Sequence, residues 1–377
     1  MKILHTVQRY APDVGGSEEV IRQISEHLVK FGHEVTVATS FSIQRKNKML
    51  NGVEIQEFGC SGNVVEGIHG DSTSYINYIK DSKYDVMLNY AAQIWSTDLV
   101  YNLLPSITMK KILVPCGYSR LHDGRFKQYF DSMPEILKLY DAVVYHSMSY
   151  IDKQFADNHN IDNGIVIPNG SSMEEFNAGM KGEFRKKHKI GNNIIVLNVS
   201  NHSWLKGHDF FWRVVPALKK MGIVPVLIGN SYHSSTKKWL KECYRYCRYQ
   251  AFTNNALNLE GYSRKNTIEV YVDADIFLFG SKVECAPLVM YEAFASKTLF
   301  ISLDCGNVKD YADIVCIVRN ELEALEIIRD YREHPESYKE RIEKGYRKFL
   351  DELNWECIAR KYEKLYKNVI RGEEIFS

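Results

Sequence analysis

Two glutamates, Glu284 and Glu292, stand on either side of Pro287 in the segment FGSKVECAPLVMYEAF, which begins at Phe279. Proline is favoured at the first position of a helix, because its φ angle suits that position and it lacks the N–H group that would go unpaired there. We therefore predict a strand that ends near Phe279, a short loop, and a helix that opens at Pro287. The unpaired N–H groups and positive end of such a helix would form an anion site at the carboxyl edge of a parallel sheet, where α/β proteins bind ligands.

A diphosphate fits this predicted anion site. Glu292 lies five residues beyond Pro287, which places it about 7.5 Å further along the helix axis. This distance suits a contact with the ribose of a nucleotide whose phosphates lie at the start of the helix. Glu284, in the loop before the helix, would lie on the opposite side of the phosphates, towards a sugar. Alone, such a glutamate pair is two solvated residues in most proteins, so the interpretation depends on the segments that accompany it.

Five further segments accompany the glutamate pair. They are Tyr10–Glu18 (YAPDVGGSE), Val166–Gly170 (VIPNG), Val199–Gly207 (VSNHSWLKG), Ala274–Ile276 (ADI) and Gly306–Val308 (GNV). In this order, and across essentially the whole chain, the sequence resembles glycosyltransferase family 4 and related retaining enzymes, the glycosyl transferases group 1. The resemblance implies an α/β protein with two Rossmann-like domains facing across a cleft, the GT-B fold.

The resemblance also implies roles for individual residues. Gly15 and Gly16 would let the N-terminal loop approach the donor phosphates and the acceptor. Lys206 would bind the diphosphate and act in catalysis, Glu292 would bind the ribose, and Glu284 would contact the transferred sugar as a catalytic residue. The backbone of three residues would close over the phosphates: Pro287, Leu288 and Val289.

The implied reaction moves a sugar from a UDP- or GDP-sugar to a hydroxyl acceptor, with no cofactor and no metal. The front-face route, in which the leaving phosphate helps to deprotonate the acceptor, is what the likeness implies. Oriented amides and a lysine agree with it, since they stabilise the charge that a leaving diphosphate develops. The expected partners are a nucleotide-sugar donor and a glycan or lipid-linked acceptor, in cell-envelope or exopolysaccharide synthesis.

Two positions depart from the family pattern. Asn201 stands where members usually have an arginine five residues before the lysine, which removes a charge from the donor site. Cys116, within VPCGY, stands where many have a histidine before the glycine, and a thiol does not replace imidazole as a donor to a sugar hydroxyl. Either His122 or His202 compensates, or the sugar is held differently. We keep Cys116 as a candidate catalytic residue and Asn201 as a candidate donor contact.

Two other functions are compatible with these motifs. One is a non-catalytic module that binds a sugar nucleotide, which the departures at Asn201 and Cys116 suggest. The other is a nucleotide-sugar epimerase or hydrolase on the same scaffold, although the Pro-Leu-Val helix with its two glutamates fits a transferase better. A dinucleotide dehydrogenase is disfavoured, because neither half opens with G-x-G-x-x-G followed by an acidic residue.

Composition sets bounds on the partners and the fold. The chain has 377 residues, a net charge of +1 and 45% hydrophobic residues, which indicates about two globular domains and gives no sign of nucleic-acid binding. The eight cysteines include no C-x-x-C pair, so we expect free thiols in a reducing cytosol. Cys243 and Cys247 lie one helical turn apart with no evident histidine partner, and we predict core thiols and no metal site.

The expected location is the cytoplasm. The N-terminal segment MKILHTVQRYAPD is too short and too polar for a signal peptide, and no run of 18 apolar residues occurs. A contact with the inner face of the membrane stays open, because a basic stripe borders an apolar one between Lys238 and Arg248. The commoner outcome for such a pattern is a domain helix with its apolar side in the core.

Alternating strands and helices are predicted to position these residues. Lys2–Val7 reads as a strand, the glycine loop follows, Ser17 opens a helix, and Glu34–Thr39 is the next strand, so a parallel sheet is implied. Further strands are predicted at 86–88, 111–114, 142–145, 164–167, 194–199, 224–228, 257–259, 276–279, 299–302 and 314–317.

The polar stretch between residues 171 and 193 divides the predicted strands into two domains. We assign residues 1–172 to an N-terminal, acceptor-side domain and residues 190–354 to a C-terminal, donor-side domain. The final helix, from about 355 to 377, carries an apolar stripe and is expected to pack back on the first domain.

Overall fold

The computed structural model describes residues 1–230 and 238–375, with the backbone alone for residues 238–241. The chain divides into two compact units. The first comprises Met1–Asn169 and the chain from Trp355 onwards, and the second comprises Gly170–Asn354.

The first unit is built on one sheet with helices between its strands. Its elements up to residue 169 are β1 (Lys2–Thr6), α1 (Gly16–Lys30), β2 (Glu34–Ser40), β3 (Met49–Leu50), β4 (Val53–Phe58), β5 (Cys60–Asn63), β6 (Gly67–Gly70), α2 (Ser72–Asp81), β7 (Val86–Tyr90), α3 (Trp95–Asp98), β8 (Lys110–Val114), α4 (Lys127–Lys138), β9 (Ala142–Tyr145), α5 (Ile151–Asn158) and β10 (Gly164–Val166). The strand order is β10-β9-β8-β7-β1-β2-β4-β3, and β5 pairs with β6 separately. Apart from the short β3, the strands of the large sheet are parallel, as continuous apolar runs such as Val86–Leu88 indicate.

The second unit repeats this architecture with six strands. Its elements are α6 (Met173–Asn177), α7 (Glu183–Lys187), β11 (Ile195–Val199), α8 (His208–Lys220), β12 (Val224–Ile228), α9 (Lys238–Thr253), β13 (Leu257–Leu259), α10 (Arg264–Asp273), β14 (Ile276–Phe279), α11 (Leu288–Ala295), β15 (Leu299–Leu303), β16 (Cys316–Val318), α12 (Glu321–Glu333) and α13 (Lys339–Lys348). All six strands are parallel, in the order β13-β12-β11-β14-β15-β16. Leu197 of β11 lies opposite Val226 on one side and Phe277 on the other.

The last helix, α14 (Trp355–Arg371), belongs to the first unit and packs against α1. Its apolar stripe is buried there, including Ile358 and Tyr362. The Tyr366 hydroxyl lies 2.9 Å from Nε2 of His5 on β1. Strand and helix are thus joined although they come from opposite ends of the chain.

Several details differ from the sequence predictions. Helix α1 begins at Gly16 with Gly15 as its cap residue, so Ser17 lies inside the first turn and does not cap it. Strands β3 to β6 were not predicted, and β16 begins two residues and ends one residue later than the predicted 314–317. The predicted helix start at Ser234 lies outside the described residues. Over the part of the chain that is described, no helix combines the length and hydropathy needed to cross a bilayer.

Candidate functional site

The carboxyl edge of the second sheet has a switch point between two neighbouring strands, β11 and β14. From β11 the chain continues to β12 on one side, while β14 and β15 follow on the other side. Loops diverge at such a point and leave a crevice, which is where open α/β sheets bind ligands. Two of the predicted segments follow these strands: residues 200–207 after β11 and residues 280–287 after β14.

The two loops are in direct contact. Gly207 has φ +66°, and a Cβ atom there would collide with the Gly280 carbonyl. The Leu205 carbonyl accepts hydrogen bonds from the Ser281 hydroxyl at 3.0 Å and from the Lys282 amide at 2.8 Å. Glycine at 207 is therefore required by both its backbone conformation and this close approach.

The loop after β15 joins them from the other side. Gly306 has φ +63°, and a Cβ atom there would lie 2.7 Å from the Cys285 carbonyl. The neighbouring Asn307 donates a hydrogen bond to the Tyr291 hydroxyl at 2.7 Å. Three consecutive loops thus converge around the residues before α11.

This convergence brings together two predicted catalytic residues, Lys206 and Glu284. The Lys206 ammonium forms an ion pair with Oε1 of Glu284, and the Ser281 hydroxyl oxygen lies 3.2 Å from the same carboxylate oxygen. The Lys206 side chain is 34% exposed and that of Glu284 is 17% exposed. A polar ligand can therefore reach both groups. Ser281 was not singled out from the sequence.

Helix α11 begins one residue later than predicted. Pro287 is its cap residue with ψ 121°, and Leu288 is the first helical residue. The N–H groups of the first turn have no partners within the helix itself, so those of Leu288 and Val289 present partial positive charge at the N-terminal end. The three backbone positions predicted to close over phosphates are consequently the cap and the first two helical residues.

The predicted ribose ligand, Glu292, lies in the second turn of α11 with a side chain that is 10% exposed. Its Oε1 pairs with Nη1 of Arg264, whose Nη2 lies 2.7 Å from Oε2 of Glu175. The sequence analysis did not identify Arg264 or Glu175. They lie 28 and 117 positions before Glu292, and no sequence spacing predicts a contact over such distances. Arg264 pairs with the Glu292 carboxylate, so it would position that carboxylate if Glu292 contacts a ribose.

The other residues predicted to bind the donor are Asn201, Gly15 and Gly16. Asn201 is half-buried in the loop after β11. In the first unit, Gly15 and Gly16 follow β1, and neither has positive φ. A Cβ atom at Gly15 would collide with the Glu18 carboxylate, whereas one at Gly16 would meet no atom of the described chain within 4 Å. Space for a close approach therefore exists at Gly16.

The third predicted catalytic residue, Cys116, lies in a strained loop of the first unit. Cys116, Gly117 and Tyr118 all have positive φ, as does Ala91 in the adjacent loop after β7. Such conformations persist where surrounding structure imposes them, and they cluster at functional sites. Burial raises the pKa of the Cys116 thiol to about 12, which favours the protonated thiol at neutral pH.

A neighbouring histidine in the same unit was not predicted. His146 directly follows β9, and its Nε2 lies 3.1 Å from the Tyr90 hydroxyl. Burial lowers its pKa to about 4, so the ring is neutral. Of the two histidines proposed to compensate for Cys116, His122 is exposed, and His202 is buried in the second unit with Nε2 on Glu260.

The prediction that Cys243 and Cys247 have no histidine partner was wrong. Nδ1 of His208 lies 3.1 Å from the Cys247 thiol and 3.5 Å from the Cys243 thiol, and His202 completes a buried group of four. The H-x5-H and C-x3-C spacings of these pairs were visible in the sequence. Their meeting was not, because it depends on how α9 packs beside the loop after β11.

The comparison with protein families supports the interpretation for the second unit. Residues 180–348 match the family described as glycosyl transferases group 1. This region contains the loops around Lys206 and Glu284 and the whole of α11. No curated protein matches the chain.

Solved structures share the fold over nearly the whole chain. A sucrose-phosphate synthase from Thermosynechococcus elongatus has a TM-score of 0.79 at 15% identity, covering 99% of this chain and 100% of that chain. A glycosyltransferase from Rickettsia africae ESF-5 has a TM-score of 0.77 at 18% identity, covering 99% of both chains. Anabaena Alr3699/HepE in complex with UDP has a TM-score of 0.75 at 13% identity, covering 98% of this chain and 100% of that chain.

These similarities confirm the predicted fold class, an α/β protein with two Rossmann-like domains of the GT-B type. The family match adds support for the coarser functional prediction, a glycosyltransferase. The narrower assignment to family 4 stays a prediction.

Proposed function

We propose that this chain is a retaining glycosyltransferase of family 4 that transfers a sugar from a UDP- or GDP-sugar to a hydroxyl acceptor. The expected acceptor is a glycan or a lipid-linked sugar in cell-envelope or exopolysaccharide synthesis, and the expected location is the cytoplasm or the inner membrane face. The observation that supports the transfer chemistry most is the contact of Lys206 with Glu284 just before α11.

Lys206 and the start of α11 would hold the donor diphosphate. As the bond from the sugar to the diphosphate breaks, negative charge grows on the leaving oxygen. An ammonium group and the N–H groups of a helix start would stabilise that charge with little reorganisation, because the fold holds them in place before the reaction. In the free protein the Glu284 carboxylate balances the charge of the Lys206 ammonium group. When the donor binds, this ammonium group would contact both the carboxylate and the phosphate.

Glu284 and Glu292 would hold the two ends of the donor. Glu284 would contact the transferred sugar, and Glu292, fixed by Arg264, would accept hydrogen bonds from the ribose hydroxyls. We place no catalytic base among these residues. In the front-face route the acceptor hydroxyl gives its proton to the leaving phosphate, and the new bond forms on the face from which the phosphate departs.

A thermal-shift experiment with UDP, GDP and ADP tests the donor site. A ligand that binds only the folded protein at about 100 times its Kd stabilises it by about 2.7 kcal/mol, and we expect this for UDP or GDP. Lys206→Ala should reduce the shift strongly. The matched control is Lys297→Ala, which removes a lysine paired with Glu343 on the surface of the same unit.

The proposal fails if none of the three nucleotides stabilises the protein, or if Lys206→Ala keeps the full shift. Slow hydrolysis of the donor without acceptor distinguishes an active enzyme from a module that only binds sugar nucleotides. The anomeric configuration of the product, read by NMR, tests retention. An inverted product would exclude the front-face route.

A further inference from the structure

Four metal-ligating side chains meet beside the loop that carries Lys206. One donor atom from each of His202, His208, Cys243 and Cys247 lies within 4.8 Å of all the others. The two histidines are at most 1% exposed and both thiols are fully buried. The group combines two imidazoles and two thiols from three elements: the loop after β11, the start of α8, and one face of α9.

A chain of hydrogen bonds fixes the tautomer of His208. The Asn198 amide donates to the Leu278 carbonyl at 2.8 Å, and its oxygen accepts from the Ser200 hydroxyl at 2.9 Å. The Ser200 oxygen, 2.7 Å from Nε2 of His208, must therefore accept the N–H of that ring. The lone pair of His208 is left on Nδ1, the nitrogen that faces both thiols.

His202 is oriented in the same way. Its Nε2 donates to Oε1 of Glu260 at 2.5 Å, whereas its buried Nδ1 forms no hydrogen bond of normal geometry with the described residues. A carboxylate that accepts the outer N–H leaves the lone pair on Nδ1, which is the arrangement that metal-binding histidines adopt.

We infer that His202, His208, Cys243 and Cys247 form a structural zinc site. Two neutral imidazoles and two thiolates are a donor set that Zn²⁺ prefers in closed, four-coordinate sites. At ordinary bond lengths a tetrahedral site has S···N edges of about 3.5 Å. The distances from His208 to the two thiols, 3.1 and 3.5 Å, already approach that value.

The charges also suit a buried site. Binding of Zn²⁺ releases one proton from each thiol to solvent, so the ion and two thiolates together are neutral and avoid the cost of an uncompensated buried charge. No electron is transferred. With four protein ligands the ion has no open position, so it would hold the structure and take no part in the sugar transfer proposed above.

The zinc site would anchor the loop after β11, which carries Lys206. His202 and His208 flank the segment 203–207, and α9 supplies the opposite ligands. If the proposed function holds, metal loss should also weaken donor binding, because Lys206 lies within this segment. The metal site itself does not depend on that function, since its test needs no donor.

The test measures metal in the purified full-length protein. After dialysis, elemental analysis should give about one zinc per chain. Titration of the metal-free protein with Co²⁺ should produce a thiolate charge-transfer band and the intense visible bands of tetrahedral cobalt. Glu260→Gln should weaken zinc affinity by about tenfold or more and is tolerable for folding, since the Glu260 side chain is 32% exposed.

The double variant Cys243→Ser/Cys247→Ser should contain no stoichiometric zinc, while the control Cys316→Ser, on β16 in the same unit, keeps it. If the double variant fails to fold, the zinc content of the wild type and the zinc affinity of Glu260→Gln still test whether the site binds zinc. Zinc well below one per chain after exposure to excess zinc, octahedral cobalt bands without charge transfer, or a disulfide between Cys243 and Cys247 would each overturn the inference.

Discussion

At the scale of single residues, the ion pair of Lys206 with Glu284 divides the donor chemistry between two charges. We expect Glu284→Ala to lower kcat about a hundredfold, as loss of one transition-state contact does in other enzymes, with little change in the dissociation constant of the donor. A contact with the transferred sugar counts most when that sugar carries developing charge. Steady-state kinetics and calorimetric titration separate the two quantities.

The matched control is Glu343→Ala, which removes an exposed carboxylate paired with Lys297 in the same unit. It should leave both quantities unchanged. An unaltered kcat in Glu284→Ala would remove this glutamate from the catalytic residues.

Glu292 should affect binding more than turnover. Glu292→Ala deletes the proposed ribose contact and leaves Arg264 with Glu175 alone, so we expect the donor Kd to rise about tenfold, equivalent to about 1.4 kcal/mol. Arg264→Lys is the companion variant, because lysine keeps the charge but not the forked geometry that pairs with both carboxylates. Titration of both variants with UDP and GDP measures the effect, and wild-type affinity in Glu292→Ala would refute the assignment.

At the scale of elements, the glycines explain why loops distant in sequence can converge. Gly207→Ala must place a Cβ atom against the Gly280 carbonyl and adopt φ +66°. Gly222→Ala is the control, since Gly222 has φ +74° with no atom of the described chain within 4 Å. The control should lose about 1 to 2 kcal/mol, the cost of the left-handed conformation. Gly207→Ala should lose clearly more, and donor affinity should fall in that variant alone.

Denaturant unfolding and nucleotide titration of the two glycine variants measure these differences. Equal losses of stability in Gly207→Ala and Gly222→Ala would mean that separating the loops after β11 and β14 costs no free energy of folding. The contact between them would then not hold Lys206 in place.

Most elements could be predicted because their signals are local. Buried strands such as β7 and β12 are short apolar runs between polar segments, which identifies them from composition and length alone. Strand β4, VEIQEF, was not predicted, because it carries polar residues at alternate positions and lacks a continuous apolar run. The start of α11 was displaced by one residue, because proline suits both the cap and the first helical turn.

Contacts between elements could not be predicted in the same way. Lys206 and Glu284 were both identified, through the motifs around them, but nothing in their spacing predicted an ion pair between them. Cys247 and His208 are 39 positions apart, and their meeting follows from the packing of α9 onto the sheet. Sequence spacing reports neighbours along one helix or strand, whereas the zinc ligands are neighbours only in the folded unit.

At the scale of the whole molecule, the first unit is closed by residues from both ends of the chain. His5 on β1 lies between Ser25 on α1, at 2.8 Å, and Tyr366 on α14, at 2.9 Å. Burial lowers the pKa of His5 to about 3, so the folded unit holds a neutral ring. In the unfolded chain the imidazole takes up a proton near pH 6.5.

The contribution of His5 to the stability of the first unit should therefore be lost on acidification. A histidine whose folded pKa is lowered contributes stability that is fully present above pH 6.5 and is lost as the pH falls from 6.5 towards 3. For His5 the loss at pH 5 is about 2 kcal/mol relative to pH 7.5. His5→Gln removes the titrating group, so its unfolding free energy should fall by about 2 kcal/mol less than that of the wild type between these pH values.

Hydrogen exchange read by mass spectrometry, at pH 7.5 and pH 5 with rates corrected for the intrinsic pH effect, assigns the loss to the first unit. His69→Gln is the control, because His69 is an exposed histidine of the same unit and its replacement should leave the pH dependence unchanged. The other buried groups of this unit with shifted pKa values in this range are Asp98 and Asp152, raised by burial to about 6, and His146, lowered by burial to about 4. They are present in every variant, so their contributions cancel in the comparison. Identical pH dependence in the wild type and His5→Gln would show that the ring between β1 and α14 is not held neutral.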